Sequence, residues 1–284
     1  MKRIRAEVPS AAARFEQVDL ANLRSVADFC DRLRGQRDSL DLLINNAAVM
    51  VPPQRQETVD GFELQLATNY LGHFALTAGL MPLLRNGKNA RIVSLSSVAA
   101  RQGAIDFDDL NARHSYNPMR SYGQSKLACL MFAFSLQRRS EAGGWGITSI
   151  AAHPGISRTD LLHNAPGRWS GVGIARSLLW FMFQPAAQGA LPTLFAATSQ
   201  QARGGAYYGP DRLGEMRGYP AASKILRRRW TSRLPNNCGR FQSIWSEGPS
   251  EYQRQVMRGS VAILRPDQPS CTDFRRKNSI LSPK

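Results

Sequence analysis

The chain repeats one pattern that restricts its fold, because short apolar runs ended by small polar residues alternate with long stretches of helical periodicity. The apolar runs lie at 39–48, 90–97 and 146–155, and the helical stretches at 22–34, 58–84, 121–139 and 185–198. Runs of this length are typical of strands buried on both faces of a parallel sheet. Strands that alternate with helices form βαβ units. We therefore predict an α/β fold, a doubly wound parallel sheet with helices on both faces.

Polar residues follow each predicted strand. Residues 14–20 also alternate apolar and polar side chains and predict one more strand, which ends beside Asp19. Ligands of α/β proteins bind where the carboxyl ends of parallel strands meet. The residues at these ends are therefore candidates for a site: Asp19, the asparagines after Ile44, the serines after Leu95, and the turn after His153.

Tyr122 and Lys126 lie four residues apart on a predicted helix, so they share one face. An ammonium about 4 Å from a phenol contributes roughly 4 kcal/mol at an effective dielectric of about 20. That interaction lowers the pKa of the phenol by about three units and makes it a usable acid or base. In the alternative interpretation Tyr122 reaches the surface and Lys126 is solvated.

Five motifs, in order, resemble those of the short-chain dehydrogenase/reductase family. They are NNAA at 45–48, NYLGHF at 69–74, IVSLSS at 92–97, YGQSK at 122–126 and HPGISRTDL at 153–161. Ala48 replaces the glycine that is usual in the first motif. The insert that separates Ser97 from Tyr122 resembles that of retinol-dehydrogenase-like and WW-domain-oxidoreductase-like members. The resemblance covers most of residues 10–220 and implies a Rossmann-like sheet.

The resemblance also implies an activity, which is hydride transfer between NAD or NADP and an alcohol or carbonyl compound, with a lipophilic substrate. Tyr122 would be the general acid/base, and Lys126 would lower its pKa and bind the nicotinamide ribose. Ser97 would donate a hydrogen bond to the substrate oxygen. Asn69 would anchor a water that links Lys126 to solvent. A catalytically inactive protein of the same fold remains an alternative.

Further residues would bind the cofactor according to the same resemblance. Asp19 would bind the adenine amine, Asn45 would shape the floor of the site, and Thr159 would hold the nicotinamide carboxamide. The complete set is Asp19, Asn45, Ala47, Tyr122, Lys126, Pro154, Gly155 and Thr159. Structural roles stay open for several candidates, since Asn45 could end a strand, Ser97 could cap a helix and Asn69 could face a loop. For His153 we expect a structural role beside Pro154.

Expectations about partners rest on less specific features. The apolar stretch 174–183 could line a pocket for a lipophilic substrate, form a plain buried helix or touch a membrane surface transiently. The helices predicted at 58–84 and 121–139 are those through which family members assemble, so a homo-oligomer is expected. Four dispersed cysteines form no CxxC pair, so we predict no metal site. The absence of an apolar N-terminal signal predicts a cytoplasmic location.

The two ends of the chain depart from the family pattern. Residues 225–284 hold 10 arginines and 2 lysines against 4 acidic residues, and so carry half of the formal net charge of +16. We expect a domain at 1–224 and a basic, poorly ordered tail at 225–284. Basic runs with interleaved aromatic residues could also bind nucleic acid or an anionic membrane. Of these two partners, we do not expect nucleic acid to bind the tail.

At the front, no glycine-rich turn precedes the first predicted helix, because the first glycine is Gly35. Residues 1–20 resemble the family from its second helix into its third strand. The first two strands and the phosphate-binding turn are therefore expected to be missing. The run at 41–45 would then be an exposed apolar edge. We expect the 284-residue chain alone to aggregate or to bind NAD(P) undetectably.

Overall fold

A five-stranded sheet forms the centre of the computed structural model, which describes residues 2–157, 184–223 and Val256. The strands are β1 (Leu42–Asn45), β2 (Arg91–Leu95), β3 (Thr148–Ala152), β4 (Tyr207–Arg212) and β5 (Arg217–Ala222). They lie in chain order across the sheet. β1 to β4 are parallel, and β5 pairs antiparallel with β4. This arrangement confirms the predicted α/β, Rossmann-like fold.

Six α-helices lie within residues 2–157 and 184–223. They are α1 (Lys2–Glu7), α2 (Leu23–Arg34), α3 (Leu64–Leu66), α4 (Gly72–Arg85), α5 (Pro118–Gly143) and α6 (Ala186–Thr198). A π-helical turn, Ala67–Leu71, joins α3 to α4, and a 3₁₀ helix, Val98–Arg101, follows β2. Local sequence explains where α5 begins and ends. Asn117 caps it by accepting from the Arg120 N–H, Pro118 occupies its first turn, and Gly144 ends it in the left-handed conformation.

The helices bury opposite faces of the sheet. The face that carries Ile92 packs with α2, α4 and α5, whereas Val93 on the other face packs with α6. β3 shows the same alternation, since Ala151 lies with side chains of α5 and Ile150 lies with those of α6. α5 itself is buried along most of its length. Helices therefore cover both faces of β2 and β3, as the continuous apolar runs predict.

Two predictions of secondary structure need correction, and one hairpin was missed. Residues 14–20 are not a strand, because no described strand lies beside them and they run as irregular chain into α2. The helix predicted to begin at 58 begins at Leu64, since Thr58–Phe62 form a turn in which the Thr58 N–H donates to the Phe62 carbonyl at 2.9 Å. The hairpin of β4 and β5 was not predicted, because glycine and proline interrupt both strands.

β1 lies at one edge of the sheet, as the sequence predicts. It pairs with β2 on one side, and no other described strand pairs with it. Leu42 and Ile44, on the face opposite Leu43, each expose 37% of their surface. Leu43 packs against the main core cluster. An apolar strand with an open edge is a template for pairing with other chains.

Several predictions fall on residues that the structure does not describe. The apolar stretch 174–183 and Thr159 lie outside the described residues, as does the tail 225–284 apart from Val256. Val256 is helical and buried in the main core cluster. The domain boundary at 224 stays a prediction. Among the described helices, none has both the length and the apolar character that a membrane span needs.

The open edge of β1 predicts a solubility effect. Ile44→Lys places a charge on the exposed face, which opposes pairing with another strand. We expect a higher concentration threshold for aggregation, measured by light scattering, and a change in stability of less than about 0.5 kcal/mol. Leu43→Lys is the matched control on the core side, and it should destabilise the fold by several kcal/mol. Equal aggregation of Ile44→Lys and the parent would refute the role of this edge.

Candidate active site

The carboxyl ends of β2 and β3 and the first turns of α5 converge on one group of buried polar side chains. Tyr122 and Lys126 lie on the same face of α5, with 6% and 3% of their surfaces exposed. The Lys126 Nζ lies 5.9 Å from the centroid of the Tyr122 ring. It donates a hydrogen bond to the carbonyl oxygen of Leu95 at 3.2 Å. The structure thus brings together the pair that the spacing of four predicts. The burial of both side chains excludes the interpretation in which Tyr122 reaches the surface and Lys126 is solvated.

The two serines after Leu95 have different roles. The Ser96 hydroxyl donates to the Lys126 carbonyl at 2.7 Å and so fixes the end of β2 on α5. The Ser97 side chain lies near the phenol of Tyr122 and lowers its pKa. Its hydroxyl also accepts from the Ala99 N–H at 3.2 Å, which caps the 3₁₀ helix. Ser97 therefore combines the predicted place beside Tyr122 with the capping role that the sequence left open.

Burial dominates the proton affinities of the central pair. It raises the pKa of Tyr122 to about 12, against the nearby Ser97 side chain, which lowers it. Burial also lowers the pKa of Lys126. The expected lowering of the phenol pKa by an ammonium about 4 Å away is therefore absent from this arrangement. At neutral pH the phenol is protonated and able to donate its proton.

Asn69 connects the site to the loop after β1. It is fully buried in the π-helical turn between α3 and α4. Its Oδ1 accepts from the Val49 N–H at 2.8 Å, and its Nδ2 donates to the Val49 carbonyl at 3.0 Å and to the Ser125 hydroxyl at 2.9 Å. Ser125 in turn donates to the Tyr122 carbonyl at 2.9 Å. The side chain thus acts as a bridge between the loop and α5.

The carbonyl oxygen of Asn69 also has partners within the protein. The His73 Nδ1 lies 3.0 Å from it, and the Cys129 thiol donates to it at 3.0 Å. Because a carbonyl only accepts, Nδ1 carries the proton of His73. Sequence reasoning missed Ser125, His73 and Cys129 as partners of Asn69. Cys129 and Ser125 share α5 with Lys126, but no spacing in the sequence indicates that they meet Asn69.

The remaining candidates lie around this group at different distances. Asn45 ends β1 and is buried, and its Nδ2 donates to the Thr77 hydroxyl at 3.1 Å. Its Oδ1 has no hydrogen-bond partner among the described residues. Ala47 is exposed in the loop that Asn69 holds at Val49. Asp19 is exposed in the turn before α2, where its Oδ1 accepts from the Ala21 N–H at 2.9 Å.

Pro154 and Gly155 form a tight turn directly after β3. Gly155 has a φ of +65°, a region that favours glycine. The Gln184 Nε2 donates to the Pro154 carbonyl at 2.6 Å, and the Ile156 N–H donates to the Met216 carbonyl at 2.8 Å. The turn is thus held from two sides. No hydrogen bond among the described residues joins Asp19 to this turn or to Tyr122, so the structure does not bring Asp19 into the group.

Comparisons with known proteins agree on one protein family. The family model described as short chain dehydrogenase matches residues 1–168. A polyprenol dehydrogenase and retinol dehydrogenase 13, both from Mus musculus, are 39% and 38% identical to this chain over 237 and 240 residues. Each of these alignments covers 81% of this chain and 70% of the relative.

Solved structures agree with this result. A crystal structure of a protein from Mycobacterium paratuberculosis is 33% identical, with a TM-score of 0.64, and the match covers 90% of this chain and 80% of that one. A 3-alpha-hydroxysteroid dehydrogenase from Pseudomonas sp. B-0831, crystallised with NADH, is 25% identical with a TM-score of 0.53. That match covers 69% of this chain and 81% of the other.

The buried imidazole beside Asn69 predicts a loss of stability in acid. Burial lowers the pKa of His73 to about 4, from an ordinary value of 6.5. Between these values the unfolded chain binds more protons, so stability present above the ordinary pKa is lost as the pH falls toward about 4. The contribution of His73 to this loss is about 2 kcal/mol between about pH 7.5 and about pH 5.

Denaturant unfolding at these two pH values would measure this contribution. His73→Gln should flatten the pH dependence of the unfolding free energy by that amount. Thr77→Ala, which removes a hydroxyl bonded to the His73 carbonyl but no titratable group, is the control and should keep the pH dependence of the parent. The same slope in the parent and in His73→Gln would contradict the assignment.

Proposed function

Because the chain belongs to the short-chain dehydrogenase family, we propose that it transfers a hydride between NAD or NADP and a lipophilic alcohol or carbonyl compound. The observation that carries the proposal is the buried group in which Tyr122 shares a helix face with Lys126 and lies beside Ser97. Family relatives named for polyprenol and retinol support a lipophilic substrate class.

The residues present fit the nicotinamide half of the cofactor. Lys126 offers donors for ribose hydroxyls, and the Pro154–Gly155 turn lies at the end of the strand next to β2. In such proteins the nicotinamide supplies or accepts the hydride. The described residues contain no glycine-rich turn before a helix for the pyrophosphate. The residues assigned here therefore concern the reacting end of the cofactor.

Tyr122 is proposed to exchange a proton with the substrate oxygen. During reduction the phenol donates its proton to the oxygen as negative charge develops there, and during oxidation the phenolate accepts that proton. Ser97 is proposed to donate a hydrogen bond to the same oxygen and so to stabilise the developing charge. Lys126, which is buried on the same face of α5, is proposed to bind the nicotinamide ribose and so to place the cofactor beside Tyr122.

The reacting groups lie in a site that is largely closed to water. Tyr122 and Lys126 are each less than a tenth exposed, so few waters compete for the substrate oxygen. Electrostatic interactions are stronger in such a setting than in water. Asn69 supports the arrangement by linking the Tyr122 turn of α5, through Ser125, to the loop after β1. The proposed role of Asn69 is therefore positional, because no described contact brings its amide to Tyr122 or Ser97 side chains.

Removal of the phenol hydroxyl tests the acid/base role. In any form of the protein that binds cofactor and turns over substrate, Tyr122→Phe should lower kcat by about 10²–10⁴-fold and leave cofactor affinity within a few-fold, since the ring remains in place. Turnover would be measured with retinol, retinal and a polyprenol, each with NAD(H) and NADP(H), and affinity by quenching of tryptophan fluorescence. Tyr219→Phe changes an exposed tyrosine and is the matched control. Parent-like turnover in Tyr122→Phe would rule the role out.

The raised pKa of Tyr122 predicts a difference between the two directions of the reaction. The phenol is protonated below its pKa of about 12, which is the form that reduction needs. Carbonyl reduction should therefore vary little between about pH 6.5 and about pH 8.5. Alcohol oxidation needs the phenolate, so its rate should rise as much as tenfold per pH unit over the same range. Steady-state kcat in both directions would test this, and an oxidation rate independent of pH would contradict it.

A further inference from the structure

Another group of buried polar side chains lies at the carboxyl ends of β3 and β4. His153 follows β3 and is fully buried, and its Nε2 lies 3.0 Å from Oε2 of Glu215 in the turn between β4 and β5. The hydroxyl of Ser223 and the guanidinium of Arg101 contact the same carboxylate oxygen. We call these residues, together with Tyr207, the His153 cluster.

The hydrogen bonds of His153 define its tautomer. The Gly155 N–H donates to Nδ1 at 3.2 Å, so this nitrogen is the acceptor. The proton of the neutral ring is therefore on Nε2, from which it is donated to Glu215. Burial lowers the pKa of His153, against Glu215, which raises it, and so the ring is neutral at neutral pH.

The arrangement of serine, histidine and glutamate is not that of a hydrolytic triad. In such a triad the carboxylate and the serine contact different nitrogens of the imidazole, which can then take the serine proton. Here Ser223 donates to the carboxylate, and its oxygen lies 3.4 Å from the nitrogen that carries the proton. No basic nitrogen faces Ser223. The cluster therefore positions other groups rather than activating a nucleophile.

One segment that the cluster holds is the Pro154–Gly155 turn. His153 accepts from the Gly155 N–H, and Met216, next to Glu215, accepts from the Ile156 N–H at 2.8 Å. A Cβ atom on Gly155 would lie 2.3 Å from the Met216 carbonyl oxygen. The turn between β4 and β5 is therefore in direct contact with the turn after β3.

The other segment is the one that begins at Ser97. The Tyr207 hydroxyl donates to the Ser97 carbonyl at 3.2 Å, and the Tyr207 ring packs on His153 with a centroid distance of 4.9 Å. Arg101 ends the 3₁₀ helix that Ser97 caps, and it donates to the Gly214 carbonyl at 3.1 Å besides pairing with Glu215. Both ends of this short helix thus connect to the His153 cluster.

We propose that Glu215 is a positioning residue that, through His153 and Arg101, sets the placement of the Pro154–Gly155 turn relative to Ser97. The proposal rests on the proposed function, because these are the turn that would contact the nicotinamide and the hydroxyl that would contact the substrate oxygen. Glu215 itself is not assigned any contact with substrate or cofactor.

Protonation of His153 gives the proposal a measurable signature. A second proton on the ring occupies Nδ1, so the Gly155 N–H loses its acceptor. The charged or titratable groups that face the ring are Glu215, Arg101 and Tyr207. Because the carboxylate of Glu215 favours the charged ring, its neutralisation should move this titration to lower pH.

Nitrogen NMR of the full chain without cofactor tests the placement independently of turnover. In the parent we expect the ring proton of His153 on Nε2. We also expect the Gly155 amide resonance to shift as the pH passes through the pKa of His153. Glu215→Gln should move both titrations to lower pH, and Glu215→Ala should increase hydrogen exchange of the Gly155 amide at least about tenfold. Asp211→Asn is the matched control, since it changes another carboxylate of the same hairpin that contacts Tyr219 instead.

Kinetics then tests the consequence for the reaction. Glu215→Ala should lower kcat about 10–100-fold at a temperature well below its Tm, with cofactor affinity reduced, whereas Glu215→Gln should recover most of kcat. An unchanged Gly155 titration in Glu215→Gln, or the Nδ1–H tautomer in the parent, would overturn the proposal. If the parent turns over no substrate while the NMR results are as expected, the placement is supported and it is the proposed function that fails.

Discussion

The side-chain amide of Asn69 is the interaction on which the rest of the site depends. It uses its carbonyl and its amide group to hold Val49 and Ser125, which lie on the loop after β1 and on α5. Asn69 and Ser125 are fully buried, and an unsatisfied polar group removed from water costs about 1–3 kcal/mol. The π-helical turn carries Asn69 within an otherwise α-helical stretch, and such turns occur frequently at functional sites. One residue thus aligns the loop with the helix turn that carries Tyr122.

Much of the fold could be predicted from the sequence because burial on both faces leaves a continuous apolar run. The runs containing Leu42, Ile92 and Ile150 became β1, β2 and β3, and the helix predicted at 121–139 extends from Pro118 to Gly143. The hairpin of β4 and β5 could not be predicted in this way, because its strands are interrupted by glycine, proline and charged residues. For 14–20 the alternation indicated a strand, but a strand also needs a neighbour, which local sequence does not report.

The site shows the same division between local and distant information. The pairing of Tyr122 with Lys126 follows from a spacing of four on one helix, and the structure brings Ser97 to the pair. The predicted direction of the Tyr122 pKa shift was wrong. The spacing suggests that the Lys126 charge lowers this pKa, whereas burial in the folded chain raises it and lowers the pKa of Lys126. The contact between His153 and Glu215 joins residues 62 positions apart, so no local pattern announces it. The contact arises because β3 and β4 are neighbours in the sheet, which places the segments that follow them side by side.

The two neighbouring serines after β2 restrict where insertions and deletions can be tolerated in this gene. Side chains of a strand alternate between its two sides, so Ser96 and Ser97 point in different directions, one to the Lys126 carbonyl and the other to Tyr122. Insertion or deletion of a single codon within Arg91–Leu95 would exchange these directions and misplace both hydroxyls. Between Gln102 and Asn117 the chain contains neither strand nor helix. Length variation among descendants of this gene should therefore accumulate in that insert and be purged from β2.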